Sequence, residues 1–186
     1  FLDLASQRGW ETSGIELSEY AASRARKKGH KMVDSRSTEE NIYGNFSAVT
    51  MWDVLEHFND PKNEIKKANS LLRPGGILLL NTIDFGSFWS RLMGKRWHLI
   101  VPPEHLFYFS RQSLFFLLES SGFKIVAVEK IGKKFSLAYI FKTLYAWQKL
   151  TIWKKLSDYF NSGFFRKFYI PINLRDNILI IAKKNV

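Results

Sequence analysis

Residues 46–84, FSAVTMWDVLEHFNDPKNEIKKANSLLRPGGILLLNTID, read as a strand, a helix and a second strand joined through a polar, aromatic corner. Residues 46–52 form an apolar, β-branched run, and residues 77–83 form another. Between them Pro61 suits the first turn of a helix, and Ile65, Ala68, Leu71 and Leu72 recur at helical spacing with Lys66, Lys67 and Asn69 on the other side. Pro74-Gly75-Gly76 then supplies a stop. Neither strand alternates apolar with polar residues, so both are predicted to be buried on both faces. A helix between two such strands makes them parallel neighbours linked by a right-handed crossover. The predicted class is α/β. Sheets of this kind bind ligands outside the carboxyl ends of their strands, which turns the corner Met51-Trp52-Asp53-Val54-Leu55-Glu56-His57 towards a site.

A chain of 186 residues with 46% hydrophobic content can bury one core, and a single domain over 1–186 is expected. The absence of cysteine excludes disulfides and thiolate metal sites and favours an intracellular, cytoplasmic setting. With only four scattered histidines, no metal is expected. No stretch is long and apolar enough to span a bilayer as a helix. The net charge of +11 is unevenly placed: residues 133–167 hold eight Lys/Arg against one Asp, whereas residues 1–132 hold seventeen against fifteen acids. An anionic partner therefore belongs with residues 133–167.

The string WDVLEHFNDP, followed a helix later by LLRPGG and an apolar strand, resembles the region after the second cofactor motif of class I S-adenosylmethionine-dependent methyltransferases. PPEHLFYFSRQSLFFLLESSGF resembles their small-molecule branch. The likeness covers roughly residues 1–130 and implies a Rossmann-like, mostly parallel sheet with helices on both faces and an antiparallel last strand, here residues 177–182. It also implies S-adenosylmethionine as the cofactor. In that family a strand and a glycine-rich loop precede the helix with which this sequence opens, near Phe1-Leu2-Asp3-Leu4-Ala5 and ending at Arg8-Gly9. Neither lies within residues 1–186, so an upstream piece is expected, without which cofactor binding would be weak.

Residues 10–17 read as the next strand, with Glu16 and Leu17 at its carboxyl end. A carboxylate there can accept two hydrogen bonds from the vicinal hydroxyls of a ribose, whether of S-adenosylmethionine or of a nicotinamide cofactor. The competing role is an acid favourable to the N-terminus of the following helix, capped by Ser18. Lys31-Met32-Val33 is a short strand. The resemblance sets Asp34 and Ser35 beside the adenine, with Glu39 and Glu40 as alternatives, and has Met51 and Trp52 wall the cofactor. Trp52 reads equally as core, Asp53 as facing solvent or substrate, and the Glu56-His57 pair as architectural before catalytic.

Residues 85–110 are aromatic, proline-interrupted and basic, and leave from the edge where a substrate enters, as a lid or pocket wall does. Within them His105 is the candidate general base, against a plainly structural role tying the lid to the strand ends. Ser110 caps a helix with Leu114, Leu117 and Leu118 as its apolar stripe. Residues 133–167 read as a helical insertion with two apolar faces, Leu137, Ile140, Phe141, Leu144 and Trp147, then Ile152, Trp153, Leu156 and Phe160. Aromatics interleaved with lysines suit a peripheral contact with an anionic membrane or a helical cap over the pocket; nothing resembles a base-reading module, which argues against nucleic acid. The expected function is methyl transfer to a small, sugar or lipid-linked acceptor. A nicotinamide-dependent oxidoreductase and a non-catalytic binding module sharing the fold are the alternatives.

Overall fold

The computed structural model describes residues 1–33, 44–162, 165 and 168–185. The chain divides into two compact units, Phe1–Gly44 and Asn45–Val186.

The first unit runs α1 (Leu2–Gln7), β1 (Ser13–Ile15), α2 (Glu19–Lys27), β2 (Lys31–Val33). β1 and β2 pair in parallel, Ser13 opposite Lys31, as two strands flanking a crossover helix must. α1 ends where a glycine permits a left-handed residue, Gly9 at φ 84°. The Ser18 hydroxyl accepts the Ala21 N–H and caps α2. Asp3 accepts from Lys28 Nζ at 2.5 Å and bonds His30 Nε2 at 2.6 Å. These bonds, Lys28's first, hold its carboxyl down at about 2. The strand predicted over residues 10–17 is shorter than expected: its ladder is as long as its partner β2, and Trp10 is exposed.

The second unit runs β3 (Phe46–Trp52), a 3-10 turn (Leu55–His57), α3 (Pro61–Leu71), β4 (Leu72–Ile83), α4 (Phe88–Met93) and a second 3-10 turn (Gly94–Arg96). There follow α5 (Arg111–Glu119), β5 (Phe123–Lys130), β6 (Lys133–Ser136), α6 (Leu137–Gln148), α7 (Thr151–Phe160), β7 (Tyr169–Ile172) and β8 (Asn177–Lys184). The main sheet has the order β3-β4-β8-β5. β3 and β4 are parallel, as predicted, and β8 lies antiparallel between β4 and β5, so three of the four strands run one way. This is the α/β architecture with an antiparallel last strand, its sheet flanked by helices.

The core forms where α3 and α5 meet the sheet. Asp60 Oδ1 accepts the Asn63 N–H to start α3, and Ser110 and Ser113 form a capping box on α5. Their apolar stripes, Ile65 and Ala68 with Leu114 and Leu118, bury against Leu78, Leu80, Ile178 and Ile180. Each such aliphatic side chain contributes about 1.5–3 kcal/mol. β3 departs from the prediction: it is half-buried rather than buried on both faces, because it is an edge strand of this sheet.

Residues 133–167 also depart from a purely helical reading. They open with β6, which pairs antiparallel with β7. α6 and α7 then pack on each other, Phe141 stacking 5.9 Å from Trp153 and 5.3 Å from Phe160, with the Ser157 hydroxyl donating to the Ala138 carbonyl at 3.0 Å. The two predicted apolar faces thus meet, but incompletely: Trp147 and Ile152 remain 54% and 53% exposed. Among the described residues, no helix is long and apolar enough to cross a membrane.

Candidate active site

In the first unit Glu16 and Leu17 follow directly on β1 and are exposed. One Glu16 oxygen accepts the Ser18 N–H at 2.8 Å, so the carboxylate serves the start of α2. A carboxylate offers about four acceptor positions. Glu16 therefore keeps the capacity for two ribose hydroxyls, and the group present fits a nucleoside cofactor. Asp34 and Ser35, with Glu39 and Glu40, lie outside the described residues.

In the second unit Met51 is half-buried on β3 opposite Leu80. Trp52, 39% exposed, is not core; its indole donates to Thr50 Oγ1 at 3.2 Å. A partly exposed indole at a strand's carboxyl end suits the flat face of a purine. Asp53 turns the chain at φ 48° and faces neither way freely: Oδ1 accepts from Asn81 Nδ2 and Oδ2 from Lys133 Nζ, both at 2.8 Å.

The corner is drawn inward by Leu55, fully buried in the core. Glu56 follows it, 1% exposed, and its Oε2 accepts from Thr82 Oγ1 at 2.8 Å. Its backbone carbonyl accepts the N–H groups of Leu106 and Phe107 at 2.9 and 3.1 Å. Glu56 thus stitches residues 106–107 to the end of β3, the architectural role the sequence favoured.

His57 and His105 come together across this stitch, ring centroids 4.8 Å apart and planes at 70°. His57 Nδ1 bonds the Glu104 carbonyl at 2.7 Å and His105 Nδ1 bonds the Leu99 carbonyl at 2.8 Å. A carbonyl only accepts, so in the neutral ring each Nδ1 must carry the proton and each Nε2 presents a lone pair. Two basic nitrogens fixed from behind are equipped to take a proton from a hydroxyl. The ligand atoms of Glu56, His57 and His105 lie within 4.8 Å of one another, a donor set that also suits a divalent ion. The sequence argument against metal rested on scattered histidines; the fold gathers two of the four.

Residues 85–110 are anchored by Trp97, 1% exposed, whose indole donates to Asp176 Oδ2 at 3.4 Å. Asp176 also accepts from Asn177 Nδ2 at 3.1 Å and stands 3.8 Å from His98 Nε2. Burial holds the His98 imidazole below its usual value; attraction to Asp176 opposes this more weakly. Asp84 pairs with Lys130 at the end of β4. The sequence did not single out His98, Lys133 or Asp176. Only Asp176 carried a signal, an acid just before a strand.

A family model described as "Methyltransferase domain" matches residues 1–128. The chain is 31% identical over 87 residues to the ubiquinone biosynthesis O-methyltransferase of Pseudomonas paraeruginosa, which covers 42% of this chain and 38% of that protein. It is 29% identical over 108 residues to the enzyme of the same name from an Azoarcus species, covering 53% and 46%. The chain thus spans less than half the length of these curated relatives. A solved SAM-dependent methyltransferase from Archaeoglobus fulgidus superposes with a TM-score of 0.61 at 20% identity over 98% of this chain and 80% of that one.

Proposed function

Since the chain belongs to the methyltransferase family, we propose that it carries methyl transfer from S-adenosylmethionine to an oxygen of a small molecule. The observation that carries this reading is the His57–His105 pair, two imidazoles locked with their Nε2 lone pairs at the carboxyl edge of the sheet. The curated relatives' name supports oxygen as the acceptor atom. The antiparallel β8 counts against the dehydrogenase alternative.

Bound cofactor would supply an electrophilic methyl group on a sulfonium. The chain's own residues do the rest. In the first unit Glu16, with Leu17 beside it, would accept the ribose hydroxyls, and in the second Met51 and Trp52 would offer an apolar wall; for Asp34 and Ser35, outside the described residues, the adenine role is what the family resemblance implies. His105 Nε2 takes the acceptor's hydroxyl proton as the oxygen is methylated, and the Leu99 carbonyl steadies the imidazolium through Nδ1–H. Residues 85–110 exclude water from the reacting centre. Residues 133–167 rest on an anionic membrane surface, for which their eight cations and the exposed Trp147, Leu150, Ile152 and Tyr159 are the support.

Methyl transfer from S-adenosylmethionine to catechol, measured with and without EDTA, tests the proposal. His105→Ala is expected to lower kcat about 10²–10⁴-fold, the usual range for a general base. Chelation is expected to change nothing. Wild-type turnover in His105→Ala would overturn the base assignment, and loss on chelation restored by a divalent cation would make the three-residue cluster a metal site instead.

A further inference from the structure

The second unit holds a partly open cavity of about 130 Å³ that the roles above leave unused. Buried Asp176 and Asn177 line it, with His98, Leu99 and Lys133, and along one wall the rings of Phe135 and Tyr139 stack 5.4 Å apart at 14°.

Two connections tie this cavity to the reacting centre. The Leu99 carbonyl that fixes His105 belongs to a residue of its wall. Lys133, another lining residue, sends its ammonium to Asp53, the residue after Trp52. The cavity is thus lined by the residues that hold the base and the corner, Leu99 and Lys133, though neither His105 nor Asp53 lines it.

Its chemistry selects a ligand class. Lys133 is already paired with Asp53, while Asp176 keeps its charge and only accepts hydrogen bonds from the Trp97 indole and the Asn177 amide. An anionic ligand would meet that carboxylate in a half-dry site with no free lysine opposite it, which is costly. Flat aromatic walls favour a planar guest. Two polar side chains keep capacity: Asn177 Oδ1 is buried without a hydrogen-bond partner, and the His98 ring makes no hydrogen bond among the described residues, standing 3.8 Å from Asp176. Neutral imidazole has one nitrogen to donate and one to accept, and so suits a hydroxyl.

We infer that this cavity receives the methyl acceptor as a neutral, planar, hydroxyl-bearing ring, lying along the Phe135–Tyr139 wall with a hydroxyl on His98. The inference rests on the methyl-transfer reading for what happens to the ring, but not for its binding. Phe135 and Tyr139 come from the 133–167 segment, so the segment that carries the charge also shapes the pocket, and acceptor preference is decided there rather than in the shared sheet.

Methyl-resolved NMR on the full chain, titrated with phenol and with toluene, which has the same shape without the hydroxyl, tests it. Phenol is expected to shift the Ile131, Ile172 and Leu174 methyls of the cavity and to bind roughly 3–10-fold tighter than toluene, the worth of one hydrogen bond. His98→Phe is expected to remove that preference. Tyr139→Ala, at a 48% exposed position, is expected to weaken both probes by the same factor and serves if His98→Phe fails to fold. Absence of phenol shifts at these methyls, or a preference for phenol that survives in His98→Phe, would overturn the inference. S-adenosylhomocysteine binding by calorimetry, on a version carrying the upstream strand and glycine-rich loop, separates the readings: phenol bound without it leaves the pocket standing and the methyl-transfer reading fallen, and the reverse sinks the pocket alone.

Discussion

Thr82→Val probes the stitch at Glu56. Thr82 is fully buried and its hydroxyl donates to a carboxylate that is itself 1% exposed. Valine keeps the shape, so almost no cavity opens and the loss is confined to one hydrogen bond onto a charged acceptor. Such bonds contribute about 1.5–3 kcal/mol, and the buried oxygen left without its donor puts this one in the upper part of that range. For a chain of this size the melting temperature should fall by about 2–4 °C per kcal/mol. In urea the midpoint should fall while the slope stays constant, since no surface is newly exposed in the folded state. Glu56→Leu, made alone and with Thr82→Val, completes a double-mutant cycle in which the losses should not add, because either change already breaks the pair. The effect should reach catalysis too: the Glu56 carbonyl holds Leu106 and Phe107, the residues that follow His105. A Thr82→Val protein within about 0.5 kcal/mol of wild type, or additive losses around the cycle, would refute the reasoning, because a surface-like polar contact is worth no more than that.

In calorimetry on a version carrying the upstream strand and glycine-rich loop, Glu16→Ala should weaken S-adenosylhomocysteine binding by about 1–3 kcal/mol, and unchanged affinity would return Glu16 to the service of α2 alone. The 133–167 segment should bring the chain down with anionic vesicles and not with neutral ones, releasing it as salt rises, since each basic residue near such a surface adds about 1 kcal/mol. No co-sedimentation at low salt would end the membrane role. His98 predicts a pH dependence: its folded value lies below the unfolded one, so the unfolded chain binds the proton more readily and stability is intact above the unfolded value and lost as pH falls through it. Urea midpoints at about pH 7.5 and 5.5 should therefore differ less in His98→Gln than in wild type, and an equal difference would contradict the assignment.

What the sequence revealed was what local periodicity encodes. Ile65 and Ala68 at helical spacing, Pro61 and Ser110 at helix starts, and the unbroken runs of β3 and β4 each fix their own neighbourhood, and the crossover rule then orients the strands. The antiparallel β8 was legible only through family resemblance, because NILIIA carries no mark of its direction. The β6–β7 pair was hidden: Lys133-Lys134-Phe135-Ser136 and Tyr169-Ile170-Pro171-Ile172 are short, and their partners are more than thirty residues apart. The site was half legible for the same reason. Glu16, Trp52 and His105 stand beside strand ends or prolines, whereas the meeting of His57 with His105, or of Lys133 with Asp53, is a product of tertiary closure that no spacing announces.

The position of β8 fixes an order of events on the ribosome. Its Ile178 and Ile180 are wholly enclosed, and it supplies hydrogen bonds to β4 on one side and β5 on the other. Yet it leaves the exit tunnel after both neighbours and after α6 and α7. During synthesis β4 and β5 therefore wait with bare edges and uncovered aliphatic faces, at about 5–20 residues per second, until the strand that joins them arrives. The nascent chain is a natural client for holdase chaperones over that interval. A stop codon before residue 177 would remove the middle of the sheet rather than trim its margin, and should give an aggregating product rather than a weakened one.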